Sequence, residues 1–294
     1  MKNIPASIRT RLSNQAKETG TSYQSLLERF AIGRLLWRIS KDEQASNFVL
    51  KGAQLFGIWA AELHRPTRDI DLLGYGDPSP EALEKHFTTL LSGFATPDDG
   101  LVWTVNKVAP IRDDQRYGGV RLNLTANLDR TQIAVQVDIG YGDGITPAVE
   151  KHTWKELLDY PEARLLTYPP ETVIAEKLEA AVELQLGNSR MKDFFDLDWL
   201  QANRTFDYQI LREAIQNTFE RRGSPLPTHA PIALTPDFSS DTNKATQWNA
   251  FLRKNKLPAQ DLQEVIQRLH IFLHPVLFPP ALQPTAWAPS SGWL

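Results

Sequence analysis

The segment VLKGAQLFGIWAAELHRPTRDIDLLG, from Val49 to Gly74, places the strongest constraint on the fold. Phe48, Val49 and Leu50 form a short apolar run that enters a Lys51-Gly52 turn, and a second such run spans Asp69 to Leu73. Runs this short, bounded by turn residues, read as strands rather than helices. Between them lie a helix-forming stretch from about Ala53 to Leu63 and the turn Arg65-Pro66-Thr67. The order is therefore strand, glycine turn, helix, strand. Asp69 and Asp71 flank Ile70, and because alternate residues of a strand share a face, both carboxylates point the same way. Two carboxylates so placed make a candidate clamp for a divalent cation.

The rest of the chain predicts an α+β protein with a sheet-bearing front and a helical back. Thr21 and Gln24 have capping-box spacing, and Leu26, Leu27, Phe30, Ala31, Leu35 and Leu36 recur at helical intervals, so Ser22 to Ser40 reads as an amphipathic helix. Arg9, Arg11 and Lys17 fall on a shorter helix before it, as a solvated face or a nucleic-acid contact. Pro80 to Leu91 reads as a helix, and Val102 to Val108, Arg121 to Ala126 and Ile133 to Ile139 read as strands. From Pro170 the pattern becomes helical, with ETVIAEKLEAAVEL opened by a proline suited to a first helical turn. Helices follow over Met191 to Leu200, Phe206 to Phe219, Lys244 to Lys254 and Ala259 to Leu273, and the tail from Pro275 is proline-rich and extended. The domain boundary is placed between residues 169 and 170.

Composition excludes several classes. With no cysteine, disulfides, thiolate catalysis and cysteine-ligated zinc are out of reach. A formal net charge of -3 gives no global basic field, although a local basic surface is compatible with it. No apolar run is long enough to span a membrane and the N-terminus lacks a secretory apolar core, so a cytoplasmic protein with no membrane partner is expected. No GxxxxGK[ST] sequence supports a P-loop, and six scattered histidines, His64 among them, make no zinc pattern.

In the strand IAVQVDI, Asp138 lies on the parity opposite Val135 and Val137, so its carboxylate can line a site. If it arrives beside Asp69 and Asp71, three carboxylates repel one another until a cation such as magnesium joins them. Such a cluster suits nucleotidyl transfer, in which metal ions hold the triphosphate and activate an acceptor hydroxyl, with the Gly52 turn receiving phosphate oxygens. Taken alone, aspartates at strand edges commonly face water, Gly52 serves as an ordinary turn residue, and Lys177 is an ordinary solvated helix lysine.

Four ordered pieces are similar to the AbiEii/AbiGii-type toxin nucleotidyltransferases, a branch of the polymerase-beta-like nucleotidyltransferase superfamily. They are LKGAQLF with RPTRDIDLL, the acidic strand VQVDIGYGD, IAEKLEAA, and RMKDFFDL, and they span Phe48 to Leu200. The resemblance implies a nucleotidyltransferase-like mixed sheet with flanking helices and a helical C-terminal region. It implies that Gly52 contacts phosphate, that Asp69, Asp71 and Asp138 bind metal, and that Lys177 neutralises the triphosphate. By the same resemblance Lys51, Arg65 and Arg68 would border that site, with Arg65 matching the family motif better and Arg68 in a more variable place. Lys192 and Asp196 belong to the later KD-containing motif, as direct phosphate contact or as support for Lys177. One departure stands out: Gly52-Ala53-Gln54 lacks the hydroxyl residue many relatives carry in this turn.

The function so implied is a magnesium-dependent transfer of NMP from an NTP to an acceptor hydroxyl, with RNA or tRNA as acceptor. The protein would be the toxin of a toxin-antitoxin pair, restrained by a cognate antitoxin. The contrasting readings are a noncatalytic nucleotide- or RNA-binding protein and a protein-interaction module.

Overall fold

A computed structural model of the chain describes residues 3–60, 64–93, 96–111 and 118–294. The chain divides into two compact units, Met1–Gly142 with Val149–Tyr168, and Asp143–Ala148 with Pro169–Leu294. The fold is of the mixed α+β class, a central sheet with flanking helices and a helical C-terminal region.

In chain order the first unit contains α1 (Ile4–Thr19), α2 (Tyr23–Lys41), β1 (Phe48–Lys51), α3 (Phe56–Trp59), β2 (Asp69–Gly74) and α4 (Pro80–Leu91). It continues with β3 (Leu101–Pro110), β4 (Gly119–Leu128), β5 (Thr131–Tyr141), β6 (Glu150–Trp154) and β7 (Ala163–Thr167). Among the described residues these strands form one seven-stranded sheet in the order β3-β4-β5-β2-β1-β7-β6. It is mixed: β2 runs parallel to β5 and β1 parallel to β7, while the other neighbours are antiparallel. Burial alternates along the central strands. Ile70, Leu72, Leu122, Leu124, Val135, Val137 and Ile139 are buried, whereas Arg121, Asn123, Gln136, Asp138 and Asp71 on the opposite parity are only partly covered. Period-two patterning of this kind makes one sheet face core and leaves the other for polar chemistry. Helix α2 packs against β5 and β7, and α4 against β3.

Helix α2 differs from a simple amphipathic surface helix. Arg34 and Arg38 are buried within it, where both grip Asp99, with Arg34 Nε at 3.0 Å and Arg38 Nη1 at 2.6 Å from Oδ2. Glu156 reaches the same place, 3.6 Å from Arg34 Nη1, with its carboxylate packed on Gly33. Burial pushes the Glu156 carboxyl up to about 7, against the opposing pull of the Leu157 N–H and Arg34. The capping box expected at Thr21 and Gln24 is not formed: Ser22 occupies the N-cap without a side-chain bond, and the Thr21 hydroxyl accepts from Thr19 Oγ1. Arg9 and Arg11 pair with Asp129 and Asp159 on the surface.

The helix expected over Ala53 to Leu63 is much shorter. Gly52–Leu55 is a 3-10 turn and α3 adds four residues before Ala60 becomes extended. Residues 61–63 lie outside the described residues. Strands β6 and β7 had no expectation; their sequences, EKHTW and ARLLT, are short and carry charges that blur the alternation.

The second unit contains α5 (Pro170–Leu184), α6 (Met191–Asn203), β8 (Phe206–Asp207), α7 (Tyr208–Arg222), α8 (Pro236–Ser239), α9 (Thr242–Asn255), α10 (Leu262–Leu277), β9 (Ala286–Ala288) and β10 (Gly292–Trp293). Asp207, Asp241 and Asp261 each cap the helix that follows by accepting a backbone N–H, and Gly223 ends α7 in the left-handed region. The proline-rich tail is not simply extended. It folds into the hairpin β9-β10, which adds to β8, and the indoles of Trp287 and Trp293 donate to the carbonyls of Gln201 and Phe272. Among the described residues no helix is long and apolar enough to cross a membrane.

Candidate active site

The acidic residues are gathered by strand register. Asp71 on β2 is the register partner of Asp138 on β5, and the same row continues to Arg121 on β4 and Lys51 on β1. Register partners on adjacent strands share a face, so four charged side chains cross the open face in the order cation, anion, anion, cation. One step along, Asp69 pairs with Gln136 in register and shares the face of Asp71. The strands carrying the register partners Asp71 and Asp138 lie about 4.8 Å apart, close enough for two carboxylates to share a cation.

Gly52 shapes the floor of this site. It has φ +69°, a left-handed conformation that L side chains resist. A Cβ built on it would collide with the Asp71 carboxylate and lie 2.8 Å from the Asp71 Cβ. The glycine therefore leaves the hollow that the Asp71 side chain fills. Buried Gln54 follows in the same turn and donates to the Asp69 carbonyl at 3.1 Å, fixing the start of β2. Lys51 extends across the sheet, its Nζ 3.7 Å from where a Cβ on Gly140 would stand and 5.4 Å from the Tyr168 ring centre.

Asp138 is held from the other side. Arg121 donates to both of its oxygens, from Nε at 2.8 Å and from Nη2 at 2.7 Å, and Gln136 Nε2 donates at 3.2 Å. Such a bidentate guanidinium clamp is among the stronger side-chain interactions. Among the described residues, no group of three or more His, Asp or Glu side chains stands ready to hold a metal ion. The donor set nevertheless fits a hard cation such as Mg2+. It is made of carboxylate oxygens, two of them in register on one face, and the Gly52 hollow keeps the Asp71 carboxylate in place.

The flanking basic residues are placed unequally. Arg68 is exposed and forms an ion pair with Glu28 at 3.0 Å, while Arg65 is half-buried in the preceding turn. His64 stacks on Phe56 with ring centres 4.3 Å apart, the contact of an ordinary loop residue.

In the second unit, Lys177 on α5 is gripped by two aspartates of α6, Asp193 Oδ1 at 2.6 Å and Asp196 Oδ2 at 2.8 Å. Both aspartates are buried, and Arg190 adds a contact to Asp193 at 2.7 Å. Burial alone would raise the Asp193 carboxyl, but Lys177 and Arg190 outweigh it and hold the group below the usual carboxylate range. Lys192 is exposed, and the Lys192–Asp196 helix pair suggested by their spacing gives way to the Lys177 contact. Arg222 forms a neighbouring hub, bonded to Glu179 at 2.8 Å and paired with Asp143 and Glu176 at 3.3 and 3.4 Å.

Sequence reasoning missed Gln54, Arg121 and Gln136. The parity of Gln136 with Asp138 was visible, but the partnership of Arg121 with Asp138 depends on the β4-β5 register, which no single-strand pattern reveals.

The fold has solved counterparts. JHP933 from Helicobacter pylori is 15% identical, with 87% of this chain and 93% of that chain covered at a TM-score of 0.51. A candidate nucleotidyltransferase from H. pylori is also 15% identical, with 87% of this chain and 96% of that chain covered at a TM-score of 0.50. At that identity the likeness speaks to the fold. No curated protein matches the chain. Residues 34–268, most of the chain, match the family model described as "Nucleotidyl transferase AbiEii toxin, Type IV TA system". The chain therefore belongs to the AbiEii family of nucleotidyltransferase toxins.

Proposed function

We propose that the protein is a magnesium-dependent nucleotidyltransferase that transfers NMP from an NTP to an acceptor hydroxyl on RNA or tRNA. It acts as the toxin of a two-component module and a cognate antitoxin restrains it. The observation that carries this reading is the in-register pair Asp71 and Asp138, with Asp69 on the same face and Gly52 opening room for the Asp71 carboxylate. Mg2+, when bound, would stabilise charge on the phosphates and lower the pKa of the attacking hydroxyl. Asp69, Asp71 and Asp138 would supply its oxygen ligands.

The chain's own groups then have distinct tasks. Asp138 orients the acceptor hydroxyl, whose oxygen forms the new bond to the α-phosphorus as the bond to pyrophosphate breaks; its proton passes to solvent or a carboxylate. Gly52, Lys51 and Arg65 border the phosphates. Arg68 joins them by exchanging Glu28 for a phosphate oxygen. By the family resemblance Lys177, steadied by Asp193 and Asp196, serves as a cation for phosphate, and exposed Lys192 as a second phosphate contact.

One observation favours a noncatalytic nucleotide- or RNA-binding protein instead: both oxygens of Asp138 are already taken by Arg121. The two readings separate in one experiment. Purified protein is incubated with each α-labelled NTP, Mg2+ and total RNA, and labelled RNA and pyrophosphate are resolved. Labelled RNA formed by wild type and absent with Asp71→Ala supports transfer; nucleotide binding without product across RNA acceptors supports the noncatalytic reading.

A further inference from the structure

We infer that Arg121 is an internal counter-cation that competes with the divalent metal for Asp138, so that the site takes up metal efficiently only when a triphosphate offers the guanidinium another anion. This rests on the proposed function, because it assumes that Asp138 serves a metal.

The argument begins with charge. Asp71 and Asp138 are neighbours in one register row, and two adjacent carboxylates on one sheet face repel unless a cation lies with them. The protein itself supplies a cation here. Arg121, one strand further out in the same row, places Nε and Nη2 on the two Asp138 oxygens at 2.8 and 2.7 Å. Those are the atoms a metal would use. Gln136 donates to Oδ2 as well, so Asp138 is satisfied without any ion.

The second part of the argument is asymmetry. Asp138 is mostly covered, with 17% of its side chain exposed, whereas Arg121 is 42% exposed. The more exposed guanidinium can swing outward into solvent, while the carboxylate stays where its strand puts it. A phosphate matches the same planar fork of donors that the carboxylate now fills. An arriving triphosphate therefore offers Arg121 an equivalent partner and releases Asp138 at the moment the metal is needed. The same exchange gives Arg121 a positioning role on the bound nucleotide. Free metal ions in the absence of nucleotide meet a site in which Asp138 is already held by Arg121 and Gln136.

The test is a titration of nucleotide-free protein with Mn2+, read by the loss of the free-ion electron paramagnetic resonance signal. Wild type, Arg121→Gln, Asp138→Asn and the double variant are compared, with thermal unfolding as a check on folding. Arg121→Gln is expected to bind Mn2+ at least tenfold more tightly than wild type, and the double variant to lose that gain. With a nonhydrolysable triphosphate present, the advantage should shrink to less than threefold. Arg121→Lys, which keeps the charge but lacks the fork, should fall between wild type and Arg121→Gln, and it carries the test if Arg121→Gln does not fold. Unchanged or weaker Mn2+ binding on replacing Arg121, or a gain that survives Asp138→Asn, overturns the inference. If wild type binds Mn2+ with triphosphate and Arg121→Gln shows no gain, the inference alone falls. If no variant binds Mn2+ with or without triphosphate, the proposed function falls with it.

Discussion

Replacing Gly52 by alanine tests the floor of the site with a single methyl group. Two costs are expected. Holding an L-residue at φ +69° costs about 1–2 kcal/mol, and the added Cβ would stand 2.8 Å from the Asp71 Cβ, too close for a carbon pair. Rotating the Asp71 side chain cannot clear that contact, because the Cβ is fixed to the backbone of β2, so strand and turn must separate at a further overpacking cost of about 1–3 kcal/mol. The sum is a large share of the roughly 5–15 kcal/mol that keeps a typical domain folded, yet generally within it. Gly52→Ala should therefore fold, be visibly less stable, and lose the Asp71 position. Gly20 supplies the control: its φ is +68° and nothing lies within 4 Å of a Cβ built there, so Gly20→Ala carries the backbone strain alone. Urea unfolding gives the two stability losses, and Mn2+-triphosphate binding gives the functional one. The reasoning is refuted if Gly52→Ala costs no more than Gly20→Ala and binds Mn2+-triphosphate as wild type does.

Three further outcomes are expected. The Glu156 carboxyl is raised from 4.5 to about 7 by burial, so its contribution to stability is full below pH 4.5 and is lost as pH rises through 7. The loss amounts to as much as about 3 kcal/mol, and urea midpoints of Glu156→Gln between pH 4.5 and 8 should show a correspondingly flatter profile. Lys177→Met removes the cation that buried Asp193 and Asp196 share, at a cost of about 3–5 kcal/mol in chemical denaturation. Adding Asp193→Asn and Asp196→Asn should recover much of it, and a variant no less stable than wild type would refute the pairing. Trp287→Ala removes a 4% exposed indole that bonds to the Gln201 carbonyl, and should cost about 3–5 kcal/mol by thermal or urea unfolding; a change under 1 kcal/mol would show that the tail hairpin is not part of the core.

Much of the fold could be read from period. Leu26 to Leu36, the alternation in IAVQVDI and the proline-led helix from Pro170 each announce their elements, because burial on one face imposes 3.6- or 2-residue spacing. Strands β6 and β7 stayed hidden because five residues carrying charges give no clear period. The helix after Gly52 was overextended because propensity favoured continuing it, while the chain becomes extended at Ala60. At the candidate site, local sequence placed Asp69 and Asp71 on one face. It could not say that Asp138 would stand opposite Asp71 or that Arg121 would hold it, since both depend on which strands pair and in what register. Arg34 and Arg38 were likewise unreadable as buried residues, because their partner Asp99 lies some sixty residues away in the chain.

The most direct measurement of the central claim is transfer of label from α-labelled NTP to RNA by wild type, Asp69→Asn, Asp71→Asn and Asp138→Asn, with folding of each verified by unfolding curves. The account predicts Mg2+-dependent labelling of RNA with release of pyrophosphate by wild type, and a loss of at least a hundredfold in each variant that remains folded. Undiminished labelling by folded Asp71→Asn or Asp138→Asn would contradict it.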